Sequence, residues 1–146
     1  SHLHDHVCGM DNQKDGRIIA VDLSPRCLRD LVHLSTIRPG LVPVLGDARK
    51  HAAWGIMVAS KVDWLLQDVS QAGQTEIFIN AVNRFLKPGG KGLLSLKAAS
   101  ERFSDAGEKE VFNQVRVQLE DAGLTVEEQI DLHGLEDNHC LYYITN

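Results

Sequence analysis

The chain has 146 residues, 43% of them hydrophobic and 24% charged, a one-domain length with the ordinary composition of a globular protein. Its formal net charge of −5 argues against a nucleic-acid binder working alone, because a partner or a local patch would have to supply the phosphate affinity. No apolar run reaches the roughly 20 residues of a membrane-spanning helix. No secretory leader is visible in SHLHDHVCGM, and Cys8, Cys27 and Cys140, without CxxC spacing, read as reduced thiols of an intracellular protein.

Residues 1–10 read as the end of a helix, with Leu3, Val7 and Met10 at spacings of four and three. His2, His4 and His6 alternate, which would gather them on one face of a strand but scatters them on a helix. A solvated helix surface is therefore expected there rather than a metal site. A chain that starts inside a helix leads to the expectation that a preceding strand and turn belong to the native protein. Residues 17–23, RIIAVDL, predict a buried strand ending on Asp22, followed by Ser24 as N-cap and Pro25 as first residue of a helix. Leu28, Leu31, Val32 and Leu34 are its expected buried stripe. An acid at that strand end is placed to accept hydrogen bonds from ribose hydroxyls. The plain alternative is a carboxylate favoured by the dipole of the next helix. Residues 41–45, LVPVL, predict a strand whose Pro43 suggests an edge or a bulge. The strand runs into Gly46-Asp47-Ala48-Arg49, which would bring Asp47 to the same sheet edge. Residues 50–60 predict a helix with Trp54 and Met57 in the core.

The stretch that organises the chain follows. Residues 62–67 predict a strand stopping on Asp68, and residues 74–86 carry Ile77, Phe78, Ala81, Val82, Phe85 and Leu86 on one helical face. Pro88-Gly89-Gly90 closes that helix, and residues 92–96 predict a second strand ending on Lys97. Two strands joined through a helix make a parallel crossover, so Asp68 and Lys97 emerge at the carboxyl ends of the strands, where open α/β sheets hold ligands. Residues 98–107 read as a loop. The helix that follows, to residue 122, buries Val111, Phe112, Val115 and Leu119 and stops at Gly123. Residues 125–132 and 140–145 predict two strands joined by HGLEDNH, a connection short enough to require antiparallel pairing, and His139 opens the last strand.

This order resembles the S-adenosylmethionine-dependent methyltransferases: an α/β, Rossmann-like fold, a mostly parallel sheet with a C-terminal antiparallel hairpin. The blocks AVDLSPRCLRDL, PVLGDAR, VDWLLQDVSQAGQ, NRFLKPGGKGLLSLKA and EDNHCLYYI resemble, in order and over nearly the whole chain, the fibrillarin family. Fibrillarins are the RNA 2′-O-methyltransferases of box C/D ribonucleoproteins. AVD and GDA are shared by many methyltransferases, whereas DV-x-Q-x-x-Q followed by the x-K-A strand and a late D-x-H is specific to this family. The resemblance implies S-adenosylmethionine as cofactor and no metal. It makes Asp22 the ribose-binding acid, where fibrillarins usually have glutamate, with Leu23 beside it. Asp47 and Ala48 match the positions next to the adenine, and Gln71 the glutamine at the cofactor's edge. Asp68, at the cofactor too, matches the catalytic aspartate, Lys97 the catalytic lysine and His139 the histidine completing the set. The family's further lysine upstream of its first strand, and the glycine-rich turn after that strand, have no counterpart here. Residues 1–146 are thus expected to be an N-terminally incomplete methyltransferase catalytic domain. The implied partners are box C/D guide RNA, substrate rRNA or tRNA, a Nop-domain scaffold protein and a kink-turn-binding protein, with no membrane. The implied compartment is the nucleolus if the protein is eukaryotic and the cytoplasm if it is archaeal, and GDAR looks closer to archaeal members.

Methyl transfer from a sulfonium needs a ribose hydroxyl aimed at the methyl carbon and relieved of its proton. A lysine does this when burial or neighbouring cations favour its neutral form. Lys97, expected at a buried strand end with Asp68 to orient it, would act as base or stabilise the forming alkoxide, and His139 would hold the substrate or the lysine. The plain alternative is an Asp–Lys ion pair across neighbouring strands and a satisfied loop histidine. Two other functions stay open: a Rossmann-like methyltransferase for a small molecule or a protein side chain such as glutamine, and a non-catalytic structural subunit. A dehydrogenase is disfavoured, because G-x-G-x-x-G is missing.

Overall fold

The computed structural model describes residues 2–9, 14–101 and 107–146. The chain divides into two units, Ser1–Ala59 and Ser60–Asn146, each with its own sheet. The first holds helix α1 (His2–Cys8), strand β1 (Ile18–Asp22), helix α2 (Pro25–Ile37), strand β2 (Leu41–Leu45) and the short helix α3 (His51–Trp54), which tightens into a 3-10 turn over Gly55–Met57. β1 and β2 pair in parallel, from Ile18 opposite Leu41 to Asp22 opposite Leu45. Pro43, with no N–H to give, sits in a strand paired on one side only among the described residues, the edge position its sequence implied. α2 starts as predicted. Pro25 is its first residue, and Cys27 N donates to Ser24 Oγ at 3.4 Å.

Three expectations for this unit are corrected. The stripe of α2 is not buried: Leu28, Leu31 and Leu34 are half-buried and Val32 is 47% exposed. A two-stranded sheet is barely as wide as a helix, so residues at the stripe's margin stay open. The helix predicted over 50–60 breaks at Gly55, a poor helix former, and leaves Met57 44% exposed while Trp54 is buried. His4 is no solvated residue, being only 4% exposed. Pro39 O can only accept and Arg38 can only donate, so His4 Nε2 donates to Pro39 O at 2.9 Å while Nδ1 accepts from Arg38 at 3.3 Å. Arg38 also pairs with Asp5, holding that carboxyl below the usual carboxylate range.

The second unit holds strand β3 (Val62–Asp68), helix α4 (Gln74–Phe85), strand β4 (Leu86–Lys97), helix α5 (Glu108–Asp121), strand β5 (Thr125–Asp131) and strand β6 (His139–Thr145). The strand order is β3-β4-β6-β5; β3 runs parallel to β4, and the other two pairings are antiparallel, as the crossover and the closing hairpin required. Pro88-Gly89-Gly90 proves to be a bulge within β4, because Val62 faces Leu86 but Trp64 faces Lys91, and Gly89 supplies the positive φ of 73° that the excursion needs.

Alternation then sets the two faces of the sheet. Leu94, Leu96, Tyr142 and Ile144 turn to the side of Phe78, Val82, Phe112, Val115 and Leu119 and make a closed core with α4 and α5. A Cβ on Gly92 would lie 2.9 Å from Ile144 Cδ1 and 3.0 Å from Phe78 Cζ, so the small residue lets the helix lie close to the sheet. Tyr142 Oη donates to Phe112 O at 2.8 Å, tying β6 to α5. Burial pushes the Tyr142 phenol and the Cys140 thiol above their ordinary pKa values.

Candidate active site at the strand ends

Because Leu94 and Leu96 face the core, Ser95 and Lys97 face the other side of the sheet. Asp68 is the register partner of Ser95, and His139 the register partner of Lys97. Side chains of residues opposite one another share a face, with Cβ atoms roughly 5 Å apart in an antiparallel pair. Asp68, Lys97 and His139 therefore gather on one face, at the carboxyl ends of β3 and β4 and the start of β6.

Asp68 and Lys97 are both exposed, and among the described residues their side chains make no ion pair with each other or with a third group. The cross-strand ion pair of the plain alternative is not formed. Nor is the strand end buried as expected: α4 and α5 cover the opposite face, and Lys97 is the last residue of β4. His139 is held by its own loop. Its Nδ1 donates to Asp137 O at 2.9 Å, and its Nε2 lies 3.4 Å from the Glu136 carboxylate.

Behind these charges lies a set of buried polar groups to which the sequence reading gave no role. Gln67 and Gln74 are 5% and 1% exposed. Gln74 Nε2 donates to Val69 O, Lys97 N donates to Gln74 Oε1 at 2.9 Å, and Gln67 Nε2 donates to Gln74 O at 2.8 Å. The first turn of α4 is capped from afar, Glu101 Oε1 accepting from Thr75 N at 3.0 Å and from Thr75 Oγ1 at 3.2 Å. Gly73 N donates to Ser100 O at 3.2 Å. The loop after β3, which carries half-buried Gln71, is thus fastened to the loop after β4. One signal was available for Gln74: it lies three and four residues before Ile77 and Phe78, on the apolar stripe of α4, where a polar side chain needs a buried partner.

In the first unit, Asp22 and Asp47 end up on neighbouring strand ends, joined where Gly46 N donates to Asp22 O at 3.0 Å. Asp22 Oδ1 accepts from Ser24 N at 2.7 Å, while Oδ2 takes no hydrogen bond from the described residues. Leu23 beside it is 55% exposed. An acid with one oxygen available at a strand end suits a vicinal diol. Asp47 differs. Its Oδ1 accepts from Arg49 N at 2.9 Å and from Arg49 Nε at 3.0 Å, and its Oδ2 accepts from Arg49 Nη2 at 2.8 Å. Trp54 Nε1 donates to Asp47 O at 2.8 Å, and the indole packs so closely that a Cβ on Gly46 would lie 2.6 Å from it. The loop is held by these bonds and its carboxylate is engaged by Arg49, while half-buried Ala48 follows it. Among the described residues no three His, Cys, Asp or Glu side chains gather to hold a metal, and no helix is long and apolar enough to cross a membrane.

The sequence model of the family described as Fibrillarin matches residues 1–146. The chain belongs to the fibrillarin family. It is 38% identical over 130 residues to a "Fibrillarin-like rRNA/tRNA 2'-O-methyltransferase" from Thermococcus sibiricus, covering 89% of this chain and 56% of that protein. An Aeropyrum pernix fibrillarin solved with natively bound S-adenosyl-L-methionine is 30% identical, with a TM-score of 0.74 and coverage of 88% of this chain and 55% of that one. The fibrillarin of a fibrillarin/Nop5p complex is 30% identical, with a TM-score of 0.81 and coverage of 89% of this chain and 61% of that one. The fold of this fibrillarin-family chain is the Rossmann-like one of methyltransferases. The chain spans little more than half the length of the curated relatives it matches.

Proposed function

We propose that residues 1–146 form the body of a methyltransferase catalytic domain that transfers a methyl group from S-adenosylmethionine to a ribose 2′-hydroxyl of rRNA or tRNA, directed by a box C/D guide RNA. The observation that carries this reading is the gathering of Asp68, Lys97 and His139 on one sheet face, with the acid and the lysine in no ion pair among the described residues. The name of the Thermococcus relative and the cofactor bound to the Aeropyrum one support it. Asp22 with Leu23, Asp47 with Ala48, and Asp68 with Gln71 are the proposed cofactor contacts.

When bound, S-adenosylmethionine supplies the activated methyl. The work left to the protein is to hold the ribose hydroxyl in line and take up its proton. Lys97 is the proposed base, or the charge that steadies the alkoxide oxygen as the proton leaves. Asp68, on the neighbouring strand and the same face, is proposed to act on the lysine through its charge without a direct ion pair, and His139 to position the substrate from the other side. The formal charge of −5 fits an enzyme brought to RNA by others. The proposed carriers are the guide RNA, a kink-turn-binding protein and a Nop-domain scaffold, the last supported by the Nop5p complex of a relative. The proposed compartment is the cytoplasm for an archaeal protein and the nucleolus for a eukaryotic one. The test is methylation by the complete protein assembled with guide RNA and scaffold proteins, using cofactor labelled in its methyl group. The expected product is one 2′-O-methyl ribose at the guided position. Label in a base or a protein side chain, or on RNA lacking a guide, would overturn the proposal.

A further inference from the structure

We propose that Gln74 is a positioning residue for the methyl transfer, its buried amide bridging Val69 O and Lys97 N so that the separation of the Asp68 and Lys97 side chains is fixed from beneath. The proposal rests on the reading of Asp68 and Lys97 given above. The hydrogen-bonded ladder between β3 and β4 stops at Asp68 opposite Ser95, two residues short of Lys97. From there the chain after β3 turns away into the loop, and among the described residues no strand remains beside Lys97 on that side to take its N–H. Gln74 does so with its side chain. Lys97 N can only donate and Val69 O can only accept, so the orientation of the amide is settled: Oε1 faces Lys97 and Nε2 faces Val69. One planar group thereby continues the ladder past the point where the backbone leaves it, joining the residue after Asp68 to the backbone of Lys97 itself.

The clamp is held in turn. Gln67 Nε2 donates to Gln74 O at 2.8 Å, and Gln74 is only 1% exposed, so water cannot compete for the amide. Among the described residues neither charged side chain is fastened by an ion pair, so their relative placement comes from the backbone beneath them. Reacting groups displaced by about 1 Å lose rate by up to roughly a hundredfold. That places a hydrogen-bonding side chain, remote from the substrate, in control of turnover.

The test is single-turnover methylation by the complete protein in its assembled ribonucleoprotein, alongside cofactor affinity and thermal melting. Gln74→Met keeps the length and loses both hydrogen bonds. The expected result is turnover lower by about ten- to a hundredfold, with cofactor affinity and KM for RNA within about twofold. Gln74→Glu supplies the readout that a merely structural role would not move. Ionised, it keeps an acceptor for Lys97 N but offers nothing to Val69 O; protonated, it restores both bonds. Its activity relative to wild type should therefore rise as pH falls, while the ratio for Gln74→Met stays flat. Turnover of Gln74→Met within twofold of wild type would overturn the proposal, as would a loss that only follows cofactor affinity or melting. Should Gln74→Met fail to fold, a flat ratio for Gln74→Glu across pH would overturn it too. Lys97→Ala, run beside them, separates the two readings: an active Lys97→Ala sinks the catalytic assignment, whereas an inactive one beside a fully active Gln74→Met sinks the clamp alone.

Discussion

At the strand ends of residues 1–59, near neighbours engage the acids: Asp22 accepts from Ser24 N and Asp47 from Arg49, each two residues away. At those of residues 60–146, Asp68 and Lys97 stand exposed and, among the described residues, in no ion pair, while the polar contacts beneath them are buried and reach across 23 residues of sequence, from Gln74 to Lys97. The packing differs in the same sense. The second unit encloses Phe78, Val82, Leu94, Leu96, Phe112, Leu119, Tyr142 and Ile144 in one core, whereas no side chain of α2 in the first unit is buried. Local contacts suffice to shape the loops that carry Asp22 and Asp47. Leaving two opposite charges free at a defined separation takes a core and a buried polar clamp beneath it.

The largest expected effect tests the packing side of that contrast. Phe78→Ala should cost about 3–5 kcal/mol, read from urea unfolding, and Leu28→Ala on half-buried α2 only about 1 kcal/mol. Equal costs would remove the contrast. On the site itself, Asp68→Ala in the complete protein should lower methyl transfer by roughly 10²–10⁴-fold while cofactor affinity holds within several-fold. Asp22→Ala should do the reverse, weakening cofactor binding by about tenfold with turnover retained at saturating cofactor. Near-normal affinity in that variant would remove the ribose assignment.

The smallest effect is alkaline. Burial raises the folded-state values of Cys140 and Tyr142 above those of the unfolded chain, so the unfolded state releases its protons first. Their contribution to stability is complete below the ordinary thiol value of about 8.5 and is lost as pH rises through the higher folded values. The double variant Cys140→Ala, Tyr142→Phe should melt lower at neutral pH, having lost the bond to Phe112 O, yet fall less steeply between pH 8 and 11. A fall as steep as that of wild type would assign the alkaline limb to other groups.

The crossover from Val62 to Lys97, the closing hairpin and the convergence of Asp68, Lys97 and His139 were legible because period and strand-end position follow from local sequence. The stripe of α2 and the core place of Met57 were misread, since periodicity reports an apolar face without saying how wide a surface is there to cover it. His4 was assigned to solvent because its partners, Arg38 and Pro39, lie 34 and 35 residues on. Glu101 was hidden for the same reason, capping Thr75 from 26 residues away. Gln74 stood in plain view on the stripe of α4, but a polar residue there reveals its role only once its partners are known. The placement of Asp47 just past its strand is legible in the sequence, whereas its grip by Arg49 two residues on depends on side-chain geometry that the spacing alone leaves open.

The central claim is that Lys97 acts in the chemical step and not in holding the cofactor. Its most direct test is guided methylation by wild type and Lys97→Ala in the complete, assembled protein, with calorimetric S-adenosylmethionine affinity measured on both. Transfer lost by at least about a hundredfold with affinity unchanged is the expected result; undiminished transfer, or a loss that follows weakened cofactor binding, would contradict it.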